Sequence, residues 1–212
     1  MINVSIIIPH YNSASLLEKL LLSIPKQKDI EIIVIDDKSD QEVEKLKELK
    51  NDNRFKHVLF LDNDTLKKGA GTCRNLGLEF AQGKWLLFAD SDDFFTENFY
   101  DTIRKYFQSN YDIIYFKPTS VYIDSNQKST RHLLYNRLID NYRQNQSIEN
   151  EIRLRYQYPV PWSKLIKSKL VYENNILFDE VIAMNDIMFS TKVGYYANKI
   201  YASDETIYCV TR

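Results

Sequence analysis

Cysteine is scarce in this chain, and its two copies, Cys73 and Cys209, stand far apart with no pairing pattern. Such usage points to a reducing compartment. The three histidines, His10, His57 and His132, form no cluster, so the chain offers no ligand spacing for zinc. Five glycines and five prolines are too few for long disordered linkers. A net charge of -1 gives no electrostatic case for nucleic acid as a partner. No apolar run reaches the roughly 18 residues that a membrane helix needs. Met1 leads almost directly into a strand pattern, without the layout of a signal peptide. The expectation is a cytoplasmic protein, with peripheral association at the inner face of the plasma membrane left open.

What is present suits a soluble globular chain: 44% hydrophobic and 27% charged residues over 212 positions, enough for one large domain or two small ones. The 15 tyrosines and 11 phenylalanines can stack on sugars or bases, although most of them will serve the core. Apolar runs predict strands at Val4–Pro9, Ile30–Ile35, Val58–Leu61 and Trp85–Ala89. Between them, Leu16, Leu17, Leu20, Leu21 and Ile24 form one helical face, which Asn12 or Ser13 can cap. Ser15 and Glu18 have the spacing of a capping box. A charged helix is predicted over Gln41–Lys50, and Gly69-Ala70-Gly71 opens a short one carrying Arg74 and Asn75. A further helix is expected over Thr96–Gln108. This alternation predicts an α/β fold: a mostly parallel sheet with helices on both faces.

The second half is less regular. Ile113–Phe116 reads as a strand, with Val121–Ile123 pairing antiparallel nearby, and Asp124–Arg131 as a loop. Leu133 to about Tyr156 is helical, with arginines among tyrosines that suit a solvated face, an acceptor or a membrane surface. Pro159-Val160-Pro161-Trp162 is a rigid turn whose Trp162 suits packing. Helices over Ser168–Asn174 and Met188–Ala197 and a strand over Ile207–Val210 complete the chain.

Ligands of parallel sheets bind at the carboxyl ends of the strands. Here those ends carry His10-Tyr11-Asn12, Asp36-Asp37, Asp62-Asn63-Asp64 and Asp90-Ser91-Asp92-Asp93. Adjacent carboxylates raise one another's pKa values unless a cation compensates them. Hard ions such as Mg²⁺ or Mn²⁺ take oxygen ligands and bridge one or two carboxylates to phosphates. The Asp90–Asp93 run therefore predicts a metal-nucleotide site, against the plainer reading of an acidic turn with Asp93 or Thr96 capping the next helix. On residue types alone Asp62-x-Asp64 is an equal candidate for the ion.

In sequence order, Ile7-Ile8-Pro9-His10-Tyr11-Asn12, Val34-Ile35-Asp36-Asp37-Lys38-Ser39-Asp40, Gly69 through Gly77, Ala81-Gln82-Gly83-Lys84-Trp85 and Asp90-Ser91-Asp92-Asp93 resemble the motifs of family 2 glycosyltransferases of the inverting GT-A fold. Trp162-Ser163-Lys164-Leu165, Asn175 through Glu180 and Asn185-Asp186-Ile187-Met188-Phe189 extend the resemblance over nearly the whole chain. It implies a donor half, residues 1–118, and an acceptor half with the catalytic base, residues 119–212, within one domain. Pro9, Tyr11, Asn12 and Asp37 would hold the base and ribose of a UDP-sugar; an aromatic face stacks on uracil and a carboxylate accepts its ring N–H. Arg74 and Ser91 would support the donor, with Lys164 a second cation for the diphosphate. Asp92 would be the metal ligand for Mn or Mg, with Asp90 its partner. Asp186 would be the general base toward a glycan or lipid-linked saccharide acceptor. Two positions depart from the pattern: Asn185 stands where Glu is more common, and Lys38 where Gly is common.

Plainer readings stand beside these: Asp186 as a helix cap, Arg74 as a helix-surface arginine, Gly69-x-Gly71 as a flexible lead into its helix. Two other functions are compatible with acidic strand ends. One is a Mg-dependent phosphotransfer or receiver-like domain; the other is a degenerate nucleotide-sugar binding module.

Overall fold

Seven consecutive buried residues, Val4–His10, form strand β1 at the heart of the sheet. Its isoleucines are enclosed on both faces, the burial expected of a central parallel strand. In this computed structural model, which describes residues 1–125 and 127–212, β1 pairs in parallel with β2 (Ile30–Asp36) and β4 (Trp85–Phe88). β3 (Val58–Asp62) adds to the outer side of β2, again in parallel. Beyond β4 lie β7 (Lys164–Lys167), antiparallel to it, and then β6 (Ile113–Val121), antiparallel to β7. β8 (Ile200–Thr211) runs parallel to β6 and carries the two-residue β5 (Phe94–Phe95) antiparallel at the edge. One eight-stranded sheet results, in the order β3-β2-β1-β4-β7-β6-β8-β5, and it is mostly parallel as expected. Strands from both sides of residue 118 share it.

Eight α-helices are described: α1 Ala14–Ser23, α2 Val43–Asn51, α3 Ala70–Phe80, α4 Phe99–Ile103, α5 Leu133–Gln144, α6 Ile148–Tyr156, α7 Ser168–Glu173 and α8 Ile187–Tyr196. Among the described residues no helix is long and apolar enough to cross a membrane. α1 buries Leu17, Leu20 and Leu21, as its spacing predicted. The capping box does not form. Ser15 lies inside the helix, and its N–H donates to Glu42 Oε2 at 2.7 Å.

Four other expectations change. The helix expected from Thr96 starts only at Phe99, because Thr96 donates its N–H to Ile207 O and its hydroxyl to Thr206 O, prolonging the pairing of β5. It ends early in a 3₁₀ turn at Arg104–Tyr106. The long helix expected over Leu133–Tyr156 is two: Ser147 caps a new start by accepting from Asn150 N–H, while Asn150 Nδ2 donates to the Asn141 and Asn145 carbonyls. Val121 belongs to β6 and bridges antiparallel to Lys128; position 126 of the expected loop lies outside the described residues. The last strand is twelve residues, not four, because β6 offers a partner along nearly its whole length.

Candidate active site

The ends of β1, β2 and β4, the start of α3 and the loop before α8 enclose a cleft of about 510 Å³. The β2 end supplies two buried carboxylates in different surroundings. Asp36 accepts from His10 Nδ1 at 2.8 Å, Ser39 Oγ at 2.6 Å and Ser39 N–H at 3.1 Å. Burial works to raise its pKa, but these donors prevail and hold it below the ordinary value. Asp37, which lines the cleft, accepts from Asn63 Nδ2 at 2.6 Å and Gly69 N–H at 2.7 Å. Gly69 has φ 112°, a backbone conformation that a side chain would strain. Lys38 holds the left-handed conformation (φ 61°) that a glycine would adopt there, so the loop keeps its shape despite the substitution.

Pro9 and Tyr11 also line the cleft, with the Tyr11 ring half exposed and Lys68 Nζ 5.6 Å from its centroid. Asn12 is not in the lining. Its side chain accepts from Asp40 and Gln41 N–H and donates to Asp40, which ties the β1 and β2 loops together.

Arg74 is no surface arginine: it is 4% exposed, and its guanidinium lies 5.2 Å from the Phe178 ring centroid. Nη2 donates to Asp90 Oδ1 at 2.6 Å and Nη1 to Asn185 Oδ1 at 2.7 Å, while Nε is buried without a partner. Asn185, the departure from the family pattern, thus orients Arg74. Gly71 allows this contact, since a Cβ there would stand 2.1 Å from Asp179 O and 2.9 Å from Asn185 Cβ.

After β4 the three carboxylates separate. Asp93 caps no helix; it is buried and accepts from Thr211 N–H at 2.7 Å. Burial, then Asp90 and Asp92, push its pKa up to about 8. Asp92 is exposed at the cleft mouth, yet enclosure of its carboxyl and the Asp90 charge raise its pKa too. Ser91 lines the cleft and shares a 2.9 Å hydrogen bond with Ser13 Oγ. The rival pair Asp62 and Asp64 stays outside: Asp62 takes Lys50 Nζ at 2.7 Å, and neither residue lines the cleft.

Among the described residues no three His, Cys, Asp or Glu side chains are grouped for a metal. The chemistry of the pair Asp90–Asp92 still fits an oxygen-seeking divalent ion that takes its remaining ligands from water and a diphosphate. Arg74 pairs with Asp90, whereas Asp92 makes no ion pair among the described residues, and the charge of Arg131 offsets its raised pKa only in part.

Asp186 stands at the first position before α8 and lines the cleft. Its side chain makes no capping bond, so its carboxylate is not committed to the helix. Lys164 is not brought to the cleft. It is 2% exposed, donates to Tyr158 O, and lies between the Tyr158 and Tyr115 rings with Nζ 4.7 and 5.4 Å from their centroids. Burial lowers its pKa to about 7. Strand β7 turns it into the core, so in this structure it stands apart from the cleft expected to hold the diphosphate.

Sequence reasoning overlooked Tyr208 and Thr211, and it gave His10 and Ser13 no individual role at the site. Tyr208 OH accepts from Asp90 N–H at 2.8 Å, and Thr211 Oγ1 donates to Asp92 O at 2.7 Å. Both lie more than a hundred positions from their partners, and no local pattern marks them.

This sheet, with its acidic strand ends around one cleft, is a GT-A-type α/β fold. The chain belongs to Glycosyl transferase family 2, whose profile matches residues 5–163. It is similar to the poly(ribitol-phosphate) beta-N-acetylglucosaminyltransferase TarS of Staphylococcus aureus, 28% identical over 100% of this chain and 36% of TarS. The crystal structure of S. aureus TarS 1–349 in complex with UDP superposes with a TM-score of 0.74 at 26% identity, over 100% of this chain and 61% of the other. The mannosyltransferase PcManGT of Pyrobaculum calidifontis, solved with GDP-Man and Mn²⁺, shares the fold at a TM-score of 0.67 and 16% identity, over 98% and 56% of the two chains. The chain thus spans just over a third of the length of the full TarS protein.

Proposed function

We propose that this chain is the catalytic domain of an inverting glycosyltransferase that moves a hexose or N-acetylhexosamine from a UDP-sugar to a surface glycan acceptor. The observation that carries the reading is the convergence, in one cleft, of Tyr11 and Asp37, of Arg74 with Asp90 and Asp92, and of an uncommitted carboxylate at Asp186. Residues 1–118 would bind the donor and residues 119–212 would carry the base and receive the acceptor. Tyr11 offers a face to the uracil, and Asp37 retains lone pairs for its ring N–H. Arg74, held by Asn185 and Asp90 in the cleft lining, would bring its positive charge close to the diphosphate. Asp92 and Asp90 would hold Mn²⁺ or Mg²⁺, which offsets charge on the departing diphosphate. Asp186 takes the proton of the acceptor hydroxyl as it attacks the anomeric carbon. A single displacement inverts that centre and needs no enzyme nucleophile, unlike the double displacement of retaining hydrolases. The exposed Ile182 and Met184 beside Asp186 suit the apolar part of a lipid-linked acceptor.

The test is turnover of UDP-hexoses with Mn²⁺, read as donor hydrolysis and transfer. Asp92→Asn is expected to weaken donor binding, and Asp186→Asn to spare binding while abolishing transfer. Equal loss of both in the two variants would undo the assigned roles. Tight UDP binding with no transfer across an acceptor panel would instead favour a binding module.

A further inference from the structure

The serine that begins α1 does not do what an N-terminal serine ordinarily does. At that position a hydroxyl usually accepts from an N–H of the first helical turn. Ser13 makes no such bond, because Glu42 reaches across from the start of α2 and accepts from Ser15 N–H at 2.7 Å. Glu42 sits in the left-handed conformation (φ 51°) in doing so. The Ser13 hydroxyl is thereby released toward Ser91 Oγ, 2.9 Å away, between the two carboxylates of the β4 turn.

The other side of Ser13 leads to the nucleoside end of the cleft. Its N–H donates to His10 Nε2 at 3.3 Å, so that nitrogen is the acceptor and Nδ1 carries the proton donated to Asp36 Oδ1 at 2.8 Å. Asp36 is fixed in turn by Ser39, whose hydroxyl also accepts from Asn12 N–H. The imidazole is fully buried, with both nitrogens satisfied. Buried polar chains of this kind hold their members in a single arrangement. The family resemblance assigned no role to His10 or Ser13.

We propose that His10 and Ser13 are positioning residues: their hydrogen-bonded chain, from Asp36 to Ser91, sets the distance between the nucleoside-binding edge and the Asp90–Asp92 turn. This rests on the donor-site reading above. A divalent ion shared between Asp92 and a diphosphate needs that spacing; UDP bound without metal does not.

The experiment measures Mn²⁺ binding by electron paramagnetic resonance with saturating UDP, and UDP binding by calorimetry in EDTA. Ser13→Ala is expected to weaken Mn²⁺ about threefold to tenfold, the worth of one hydrogen bond, and to leave metal-free UDP binding within about twofold. Ser13→Thr, which keeps the hydroxyl, should restore Mn²⁺ affinity. At His10 the two links separate. Gln can supply the acceptor facing Ser13, whereas Asn can supply the donor facing Asp36. His10→Asn should therefore lose more Mn²⁺ affinity than His10→Gln. Melting temperatures identify variants that fail to fold. Unchanged Mn²⁺ affinity in folded Ser13→Ala overturns the proposal, as does a parallel loss of UDP binding in EDTA. Wild-type protein that binds no UDP under either condition overturns the donor-site reading itself.

Discussion

Lys164 provides a sharp test of how completely strand β7 seals its side chains. Its ammonium faces two tyrosine rings, the Tyr158 carbonyl and, at 3.5 Å, Ser190 Oγ, and among the described residues no carboxylate is bonded to it. Burial lowers its pKa from 10.5 to about 7, while Asp186 pulls weakly the other way. A displacement of that size corresponds to roughly 5 kcal/mol. The tyrosine faces favour the charged form by about 0.5–2 kcal/mol, so a difference of about 3–5 kcal/mol is expected. The sign follows from proton counting. Between pH 7 and 10.5 the unfolded chain keeps a proton that the folded chain has lost, so stability rises with pH across that window. Below pH 7 the full penalty of a buried charge is present; above 10.5 it is gone. Lys164→Met removes the titrating group at similar volume. Urea denaturation of both proteins from pH 6 to 10.5 should show the variant's advantage shrinking by about 3–5 kcal/mol as pH rises. A difference that stays flat would mean that Lys164 keeps its ordinary pKa, and so reaches solvent or the cleft. The diphosphate role would then return.

Two further outcomes follow from the same cleft. Asp93→Asn keeps an acceptor for Thr211 N–H but removes a carboxyl whose folded pKa, about 8, lies above its ordinary 3.8. Its ionisation costs stability as pH rises from about 4 to 8, so in EDTA the variant should gain on wild type across that range, by on the order of 3–5 kcal/mol, in urea titrations. Gly71→Ala would drive a Cβ to within 2.1 Å of a backbone carbonyl, so about 1–3 kcal/mol of stability should be lost in urea denaturation. Because the same contact supports Asn185, transfer should fall more than UDP binding does.

The parallel part of the sheet was legible because β1, β2, β3 and β4 are short apolar runs closed by polar residues, a pattern set by local burial. β5 and β7 were not, since two phenylalanines or a Lys-Leu-Ile-Lys segment become strands only when β8, β4 and β6 are beside them. Likewise the break between α5 and α6 lies in hydrogen bonds that Asn150 makes to carbonyls, and not in any loss of helical pattern. At the site, Pro9, Tyr11, Asp37, Arg74, Asp90, Ser91, Asp92 and Asp186 do line one cleft, while Asn12 and Lys164 do not. Lys164 gives no local sign of which face it occupies, because Ser163 and Leu165 on either side of it are buried as well.

The acidic residues themselves were countable from the start; what distinguishes them is which of their lone pairs are already taken. His10 and Ser39 occupy Asp36, Asn63 and Gly69 occupy Asp37, and Thr211 occupies Asp93. Those three hold the loops, Asp37 with lone pairs to spare for a ligand N–H, and a cation gains little by competing with donors already in place. Asp90 is half committed, through one oxygen, to Arg74. Asp92 carries a pKa raised by enclosure and by the Asp90 charge, and Asp186 is free of the capping bond its position invites. An ion and a proton-accepting step both require uncommitted oxygens. The proposed division of labour among six carboxylates therefore rests on hydrogen-bond supply: the ion and the proton transfer are assigned to the carboxylates with the fewest fixed donors.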